Sequence, residues 1–214
     1  MQCTDACVFP YPGGDSSLRR MALLARELGF DSLVAAGSAG GEAYGVEIVG
    51  MKVPGGSKEG EGQPPHCGTG REGRTITVAR AGDYNANRAL LRSGKVKVLR
   101  GIQCTPRNSF DHILSRIAAE KCIAVDIDMS SLTSGGGPLR QRALQRYADI
   151  VRLHWRFEFP VTLSSGACSI LGMRSPRDME SLGRLFGLEE DEAERALRTV
   201  SQFLSPGRPV EVVG

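Results

Sequence analysis

Leu163-Ser-Ser-Gly-Ala-Cys-Ser-Ile-Leu-Gly-Met-Arg-Ser-Pro-Arg-Asp-Met-Glu-Ser-Leu182 runs from a strand, through small residues, into a helix. Ser175 suits the N-cap and Pro176 the first helical position, where its missing N–H would have had no partner. Asp178 falls three residues after Ser175 and can reach back to its backbone N–H as a capping box. Met179, Leu182, Leu185 and Phe186 recur at helical spacing, and Gly187 supplies a stop. The Met173–Asp178 run therefore sits at the carboxyl end of a strand, where α/β folds carry their working surface.

Outward from this segment, the same alternation repeats. Residues 3–9 read as a strand, and Asp15 as the cap of a helix with Leu18, Met21, Ala22, Ala25 and Leu28 on one face, closed by Gly29. Residues 31–36, 44–51, 75–79, 95–100, 122–127 and 161–164 complete a set of seven strands. Helices are expected from Asp83 to Gly94, from a Ser109 cap, from Pro138, and from the acidic run Glu189 to Glu192. Strands alternating with helices imply a parallel sheet, either a closed (β/α) barrel or an open doubly wound sheet. Residues 52–74 are rich in Gly, Pro, Lys and Glu without apolar periodicity, and read as a flexible loop. The 210–213 tail frames an extra strand or frays.

With 214 residues, 1–214 is expected to form one domain. The start lacks a basic stretch followed by an apolar run, and no eighteen-residue apolar stretch exists, so neither a secretory signal nor a membrane span is expected. Six scattered cysteines without a Cys-x-x-Cys are expected as reduced thiols in a cytoplasmic protein.

The Ser-Pro-Arg-Asp helix start, with Gly-Val-Glu-Ile at 45–48, Gly82-Asp83-x-x-x-Asn87-Arg88-Ala89, Asp111-His-Ile-Leu114 and Ala124-Val-Asp-Ile127, resembles the protein component 3 family of archaeal and eukaryotic ribonuclease P. The resemblance spans roughly residues 3 to 204. It implies the barrel over the open sheet, with a fold like that of the polymerase and histidinol phosphatase (PHP) metallohydrolases. It also implies a subunit of the ribonucleoprotein endonuclease that removes the 5′ leader of precursor tRNA. The chain's partners would then be the ribonuclease P RNA, protein component 2 and the other ribonuclease P proteins, with precursor tRNA met indirectly. The magnesium ions would belong to the RNA subunit, and the chain alone would be non-catalytic with no cofactor of its own.

Those metallohydrolases place His and Asp ligands after several barrel strands, and the residues here differ. His66 falls in the 52–74 loop, while His112 and His154 fall on helices, so none pairs at metal-ligand spacing. At the strand ends stand Asp5-Ala-Cys7, Gly101-Ile-Gln-Cys104 and Gly166-Ala-Cys168. A thiolate set of Cys7, Cys104 and Cys168 suits phosphate hydrolysis less well than oxygen and imidazole ligands. No metal site and no catalytic residue is expected, and the alternative is a PHP-like metal-dependent phosphoesterase with an eroded site. Asp126 and Asp128, two apart on a strand, point to one side of the sheet and with Asp5 form an acidic floor in the barrel mouth. The plainer expectation is that one of the two pairs with an arginine and the other is solvated.

Basic residues carry the stronger signal. Residues 71–107 hold nine Lys or Arg against two acids, an excess greater than the net +3 of the whole chain. A second set is Arg140, Arg142, Arg146, Arg152 and Arg156, with Arg174, Arg177 and Arg184 beyond it. This asymmetry is the footprint of a phosphate-backbone binder. Arg80, Arg88, Lys97, Arg100, Arg107, Arg174 and Arg177 are the expected RNA contacts, and Ser175 and Asp178 the structural cap. No aromatic stacking set of the RRM type and no Gly-x-x-Gly clamp of the KH type is present, so contacts to backbone and shape are expected.

Overall fold

Side chains along these short strands alternate between two buried faces, and seven strands line up in parallel. The computed structural model describes residues 2–54 and 74–205. His66, Cys67, Arg71, most of the 52–74 loop and the 210–213 tail lie outside the described residues. In sheet order the parallel strands are β1 (Thr4–Val8), β2 (Ser32–Ala35), β4 (Val46–Lys52), β5 (Thr75–Arg80), β6 (Val98–Arg100), β7 (Ala124–Asp128) and β8 (Val161–Ser164). A short strand β3 (Gly41–Ala43) pairs antiparallel with β4. The chain after β8 returns to β1 through a Val8–Ala167 bridge, with Gly166 N–H donating to the Cys7 carbonyl at 3.1 Å. The result is a nearly closed α/β barrel.

Ala6, Val34, Val49, Ile76, Val78, Val98 and Ala124 make a narrow apolar interior. The alternate residues Leu33, Ile48, Leu99, Val125, Ile127 and Leu163 join the larger outer core. That core is covered by helices α1 (Leu18–Leu28), α2 (Tyr84–Ser93), α3 (His112–Glu120), α5 (Gly137–Phe157) and α6 (Pro176–Gly183). Each fully buried Leu, Ile or Val contributes about 1.5–3 kcal/mol relative to exposure. Helix α7 (Glu190–Leu204) closes the amino end of the barrel: Val200, Phe203 and Leu204 pack on the interior cluster, and the Ser201 and Thr4 hydroxyls lie 3.0 Å apart.

Several boundaries differ from expectation. Ser17, not Asp15, caps α1, because Ser17 Oγ accepts from Arg20 N–H while Asp15 accepts from the Ser16 hydroxyl. Asp111, not Ser109, caps α3, accepting from the N–H groups of Ile113 and Leu114 at 3.0 Å. Ser109 instead lies in a 3-10 turn, Arg107–Ser109. Strand β6 begins only at Val98, and β7 at Ala124, since Cys122 turns with φ 49°. Helix α6 stops at Gly183 and a 3-10 turn carries the chain to Gly187, leaving Leu185 exposed. The five described cysteines are free, and no helix among the described residues is long and apolar enough to cross a membrane.

Candidate functional site at the carboxyl end of the barrel

Parallel strands bring their carboxyl ends to one rim, and register decides which side chains meet there. In β5 and β6, Arg80 is the partner of Arg100; in β6 and β7, Leu99 is the partner of Val125, which sets Arg100 beside Asp126 one step further on. The Arg100 guanidinium reaches Asp128 Oδ2 from Nη2 at 2.5 Å and Asp126 Oδ2 from Nε at 3.5 Å. It also lies over the Phe9 ring, 4.5 Å from the centroid. The plainer expectation for the aspartates was half right: an arginine is there, but neither carboxylate is solvated.

Asp128 is held on every side. Its Oδ1 accepts from the Ser130 N–H at 3.0 Å and the Ser130 hydroxyl at 2.6 Å, where the chain turns into the short helix α4 (Ser130–Thr133). Its backbone carbonyl accepts from the buried Tyr147 hydroxyl of α5 at 2.8 Å. Gly166, at φ 60°, faces the carboxylate so closely that a Cβ there would overlap Asp128 Oδ1. A left-handed backbone and missing side chain are both required at that position.

Asp126 accepts from Thr162 Oγ1 at 3.0 Å and Ser164 Oγ at 2.7 Å, both on β8. Burial pushes its carboxyl up to about 7, against the pull of Arg100 and with the added repulsion of Asp128. Asp5 accepts from Ser165 N–H at 2.9 Å and Cys7 N–H at 3.3 Å, and burial raises it to about 6 in spite of those bonds. Its Oδ2 is buried without a partner among the described residues. Burial also drives the Cys7 thiol well above its ordinary range, which leaves it a neutral, unreactive group.

This arrangement has a clear chemical meaning. Among the described residues, no three His, Cys, Asp or Glu side chains converge in a way that would hold a metal ion. Asp126 and Asp128 instead face a guanidinium, which already supplies positive charge there. A dication added beside Arg100 would be repelled by it. Cys104 and Cys168 are exposed while Cys7 is buried in the cluster, so the three thiols do not share one environment.

The other expected site residues divide by barrel end. Arg80 is exposed at the carboxyl rim and makes no ion pair among the described residues. Arg88, half-buried, lies in the first half of α2, and its Nε has no hydrogen-bond partner among the described residues. Arg107, in the turn after β6, pairs with Asp149 at 2.8 Å. Arg174 donates to the carbonyls of Leu171 at 2.9 Å and Met173 at 2.7 Å, tying down the loop after β8, and Arg177 is exposed on α6. Lys97 stands apart from them, just before β6 at the amino end of the barrel, with Nζ 5.8 Å from the centroid of the Phe203 ring. Ser175 and Asp178 form the capping box of α6, and His154 Nδ1 is hydrogen-bonded to the Phe159 carbonyl at 2.7 Å. Sequence reasoning missed Ser130 and Tyr147 and, though it placed Gly166 at a strand end, the contact of Gly166 with Asp128. The Asp126-x-Asp128 spacing, with Asp5, was the visible sign of this cluster.

Fold and site together define a nearly closed α/β barrel whose mouth holds Arg100 against Asp126 and Asp128. The family model described as RNase P subunit p30 matches residues 58–208, and the chain belongs to that family. Ribonuclease P protein component 3 of Methanococcoides burtonii is 35% identical over 123 residues, covering 57% of this chain and 51% of that protein. The protein of the same name from Methanosarcina barkeri is 27% identical over 214 residues, covering 96% of this chain and 90% of its own length. The matched stretch thus spans about half the length of some relatives and nearly all of others. Among solved structures, a chain of archaeal ribonuclease P with mature tRNA, determined by cryo-EM, has a TM-score of 0.68 at 16% identity, covering 93% of this chain and 89% of that one. A histidinol phosphate phosphatase from Lactococcus lactis with zinc, L-histidinol and phosphate has a TM-score of 0.50 at 10% identity, covering 90% and 94%. These two structures share the fold.

Proposed function

We propose that this chain is a protein subunit of ribonuclease P that supports the catalytic RNA in removing the 5′ leader of precursor tRNA, without cleaving the substrate itself. Membership of the p30 family supports the assignment, and the observation that carries the non-catalytic role is Arg100 between Asp126 and Asp128. With a guanidinium where a hydrolase of this fold would need a cation, the barrel serves as a rigid body. Its basic rim, with Arg80, Arg88, Arg107 and Arg177, neutralises phosphates that would otherwise repel as RNA helices pack. Arg100 is left out of that set because its charge is met inside the barrel, Arg174 because it ties down the loop after β8, and Lys97 because it lies at the opposite end. In this reading the partners are the ribonuclease P RNA, protein component 2 and the other ribonuclease P proteins, in the cytoplasm, and magnesium sits on the RNA.

Reconstitution tests it. The chain with protein component 2 is expected to raise cleavage of precursor tRNA by the RNA subunit at low magnesium, and the chain alone to give no cleavage. Metal-dependent cleavage by the purified chain, abolished by Asp126→Ala, would overturn the non-catalytic role and favour the phosphoesterase reading. Mixing that changes neither activity nor migration of the two proteins would overturn the assignment as a subunit.

A further inference from the structure

A second basic feature lies beside the barrel mouth, where the turns after β6 lean on α5. A cavity of about 380 Å³ opens there, lined by Arg107, Arg142, Gln145, Arg146, Asp149 and Arg152 among others. Four arginines face one carboxylate, so three positive charges are uncompensated. Asp149 is shared by Arg107 at 2.8 Å and Arg152 at 3.2 Å, and Arg142 makes no ion pair among the described residues.

Arg146 makes this a built site. It is only 5% exposed and forms the wall of the cavity. Its Nη1 donates to the Arg107 carbonyl at 2.8 Å, its Nη2 to Ser109 Oγ at 3.2 Å and its Nε to the Ile102 carbonyl at 3.5 Å. A guanidinium has five N–H groups, so about two remain for a ligand. Burial, together with the nearby charges of Arg107 and Arg142, acts to weaken the hold of Arg146 on its proton, against the opposing pull of Asp149. An anion in the cavity would relieve that repulsion.

We infer that this cavity binds a backbone phosphate of RNA. The inference rests on the reading of the chain as a ribonuclease P subunit and adds the place where one phosphate is gripped. Arginine forks match phosphate oxygens in a bidentate manner. No aromatic ring is among the lining residues, so there is no platform on which a base would stack, and the backbone is what the cavity can recognise. The site is anchored by buried Arg146, with Arg142 exposed on α5 and in no ion pair among the described residues, and exposed Arg152 held at the rim by Asp149.

The test measures binding of the full chain to the ribonuclease P RNA across a salt series. The variant Arg142→Gln with Arg152→Gln is compared with Arg19→Gln plus Arg20→Gln, which removes the same charge from exposed positions on α1. Loss of one phosphate contact makes the log K against log salt slope shallower by about 0.7–0.9, with affinity falling by roughly tenfold. That result is expected for the α5 pair and not for the α1 pair. Equal effects from both pairs, or none from the α5 pair while the wild type binds, would overturn the cavity and leave the subunit reading standing. No salt-dependent binding by the wild type would overturn both. Inorganic phosphate that fully displaces the RNA at constant ionic strength would make the cavity a free-anion site and overturn its assignment to the RNA backbone.

Discussion

Arg100 Nη2 stands 2.5 Å from Asp128 Oδ2, joining neighbouring strands whose residues are 28 apart in sequence. The pair lies in a barrel mouth where Asp126 is fully buried and Asp128 nearly so, and the guanidinium is the counter-charge of both. Removing it strands charge in a low-dielectric site, which is the costly way to break a buried ion pair.

Arg100→Met is therefore expected to lower unfolding free energy by about 3–5 kcal/mol in urea titrations. Adding Asp126→Asn and Asp128→Asn to that variant should recover a large part of the loss, because no charge is then left unpaired. A single Arg100→Met variant as stable as wild type would show that the carboxyls need no counter-charge.

Stability should also depend on pH in a direction set by the raised carboxyls. Asp126 titrates at about 7 and Asp5 at about 6 in the folded protein, both above the ordinary aspartate value. The folded state thus keeps protons that the unfolded chain has released, and the contribution of these groups to stability falls as pH rises from about 4 through 6 and 7. Urea titrations at about pH 5 and about pH 8 should show wild type losing more stability over that interval than Asp126→Asn. Equal losses in the two proteins would exclude Asp126 as the titrating group.

Gly166→Ala should be strongly destabilising. The residue sits at φ 60°, and the space a Cβ needs is filled by the Asp128 carboxylate and the Ser130 hydroxyl. Backbone strain alone costs about 1–3 kcal/mol, before the displacement of Asp128 is counted. Gly137→Ala, in the first turn of α5 where only the following Pro138 crowds an added methyl, is the control and should cost markedly less. Thermal melts of the two variants should diverge accordingly.

The start of α6 separates a fold residue from a surface one. Asp178 Oδ2 accepts from Ser175 N–H at 3.2 Å and from the Ser175 hydroxyl at 2.8 Å, so Asp178→Ala should cost about 0.5–2 kcal/mol. Arg177→Gln should leave the melting temperature unchanged and make the salt slope of RNA binding shallower by about one. Arg174→Gln should loosen the 170–174 loop as well, since two carbonyls lose their donor. A destabilised Arg177→Gln with an unchanged salt slope would make Arg177 a fold residue.

Local chemistry made some of this legible in advance. The Ser175, Pro176 and Asp178 cap, the Asp83 to Gly94 helix and the strand at 161–164 stand where consecutive residues put them, because a cap or an alternating strand is decided within about one turn or a few residues. The choice between Ser109 and Asp111 as cap went wrong because both are good acceptors in one short run, and only the packed chain shows which N–H groups each one meets. Strand β3 was missed for a related reason: a three-residue pairing gains most of its stability from β4, not from its own sequence.

By itself, then, the sequence determined the alternating strands and helices, the local caps and the uneven distribution of basic residues, all properties of neighbours along the chain. Tertiary structure alone decided that Arg100 belongs to Asp126 and Asp128, that Lys97 lies at the opposite barrel end from Arg80, and that Arg146 is buried behind Arg142 and Arg152. Those outcomes depend on strand order, on register and on closure of the last strand against the first. A one-residue change of register would turn Arg80, Arg100, Asp126 and Asp128 to the other face of the sheet, and no local run of residues carries that information.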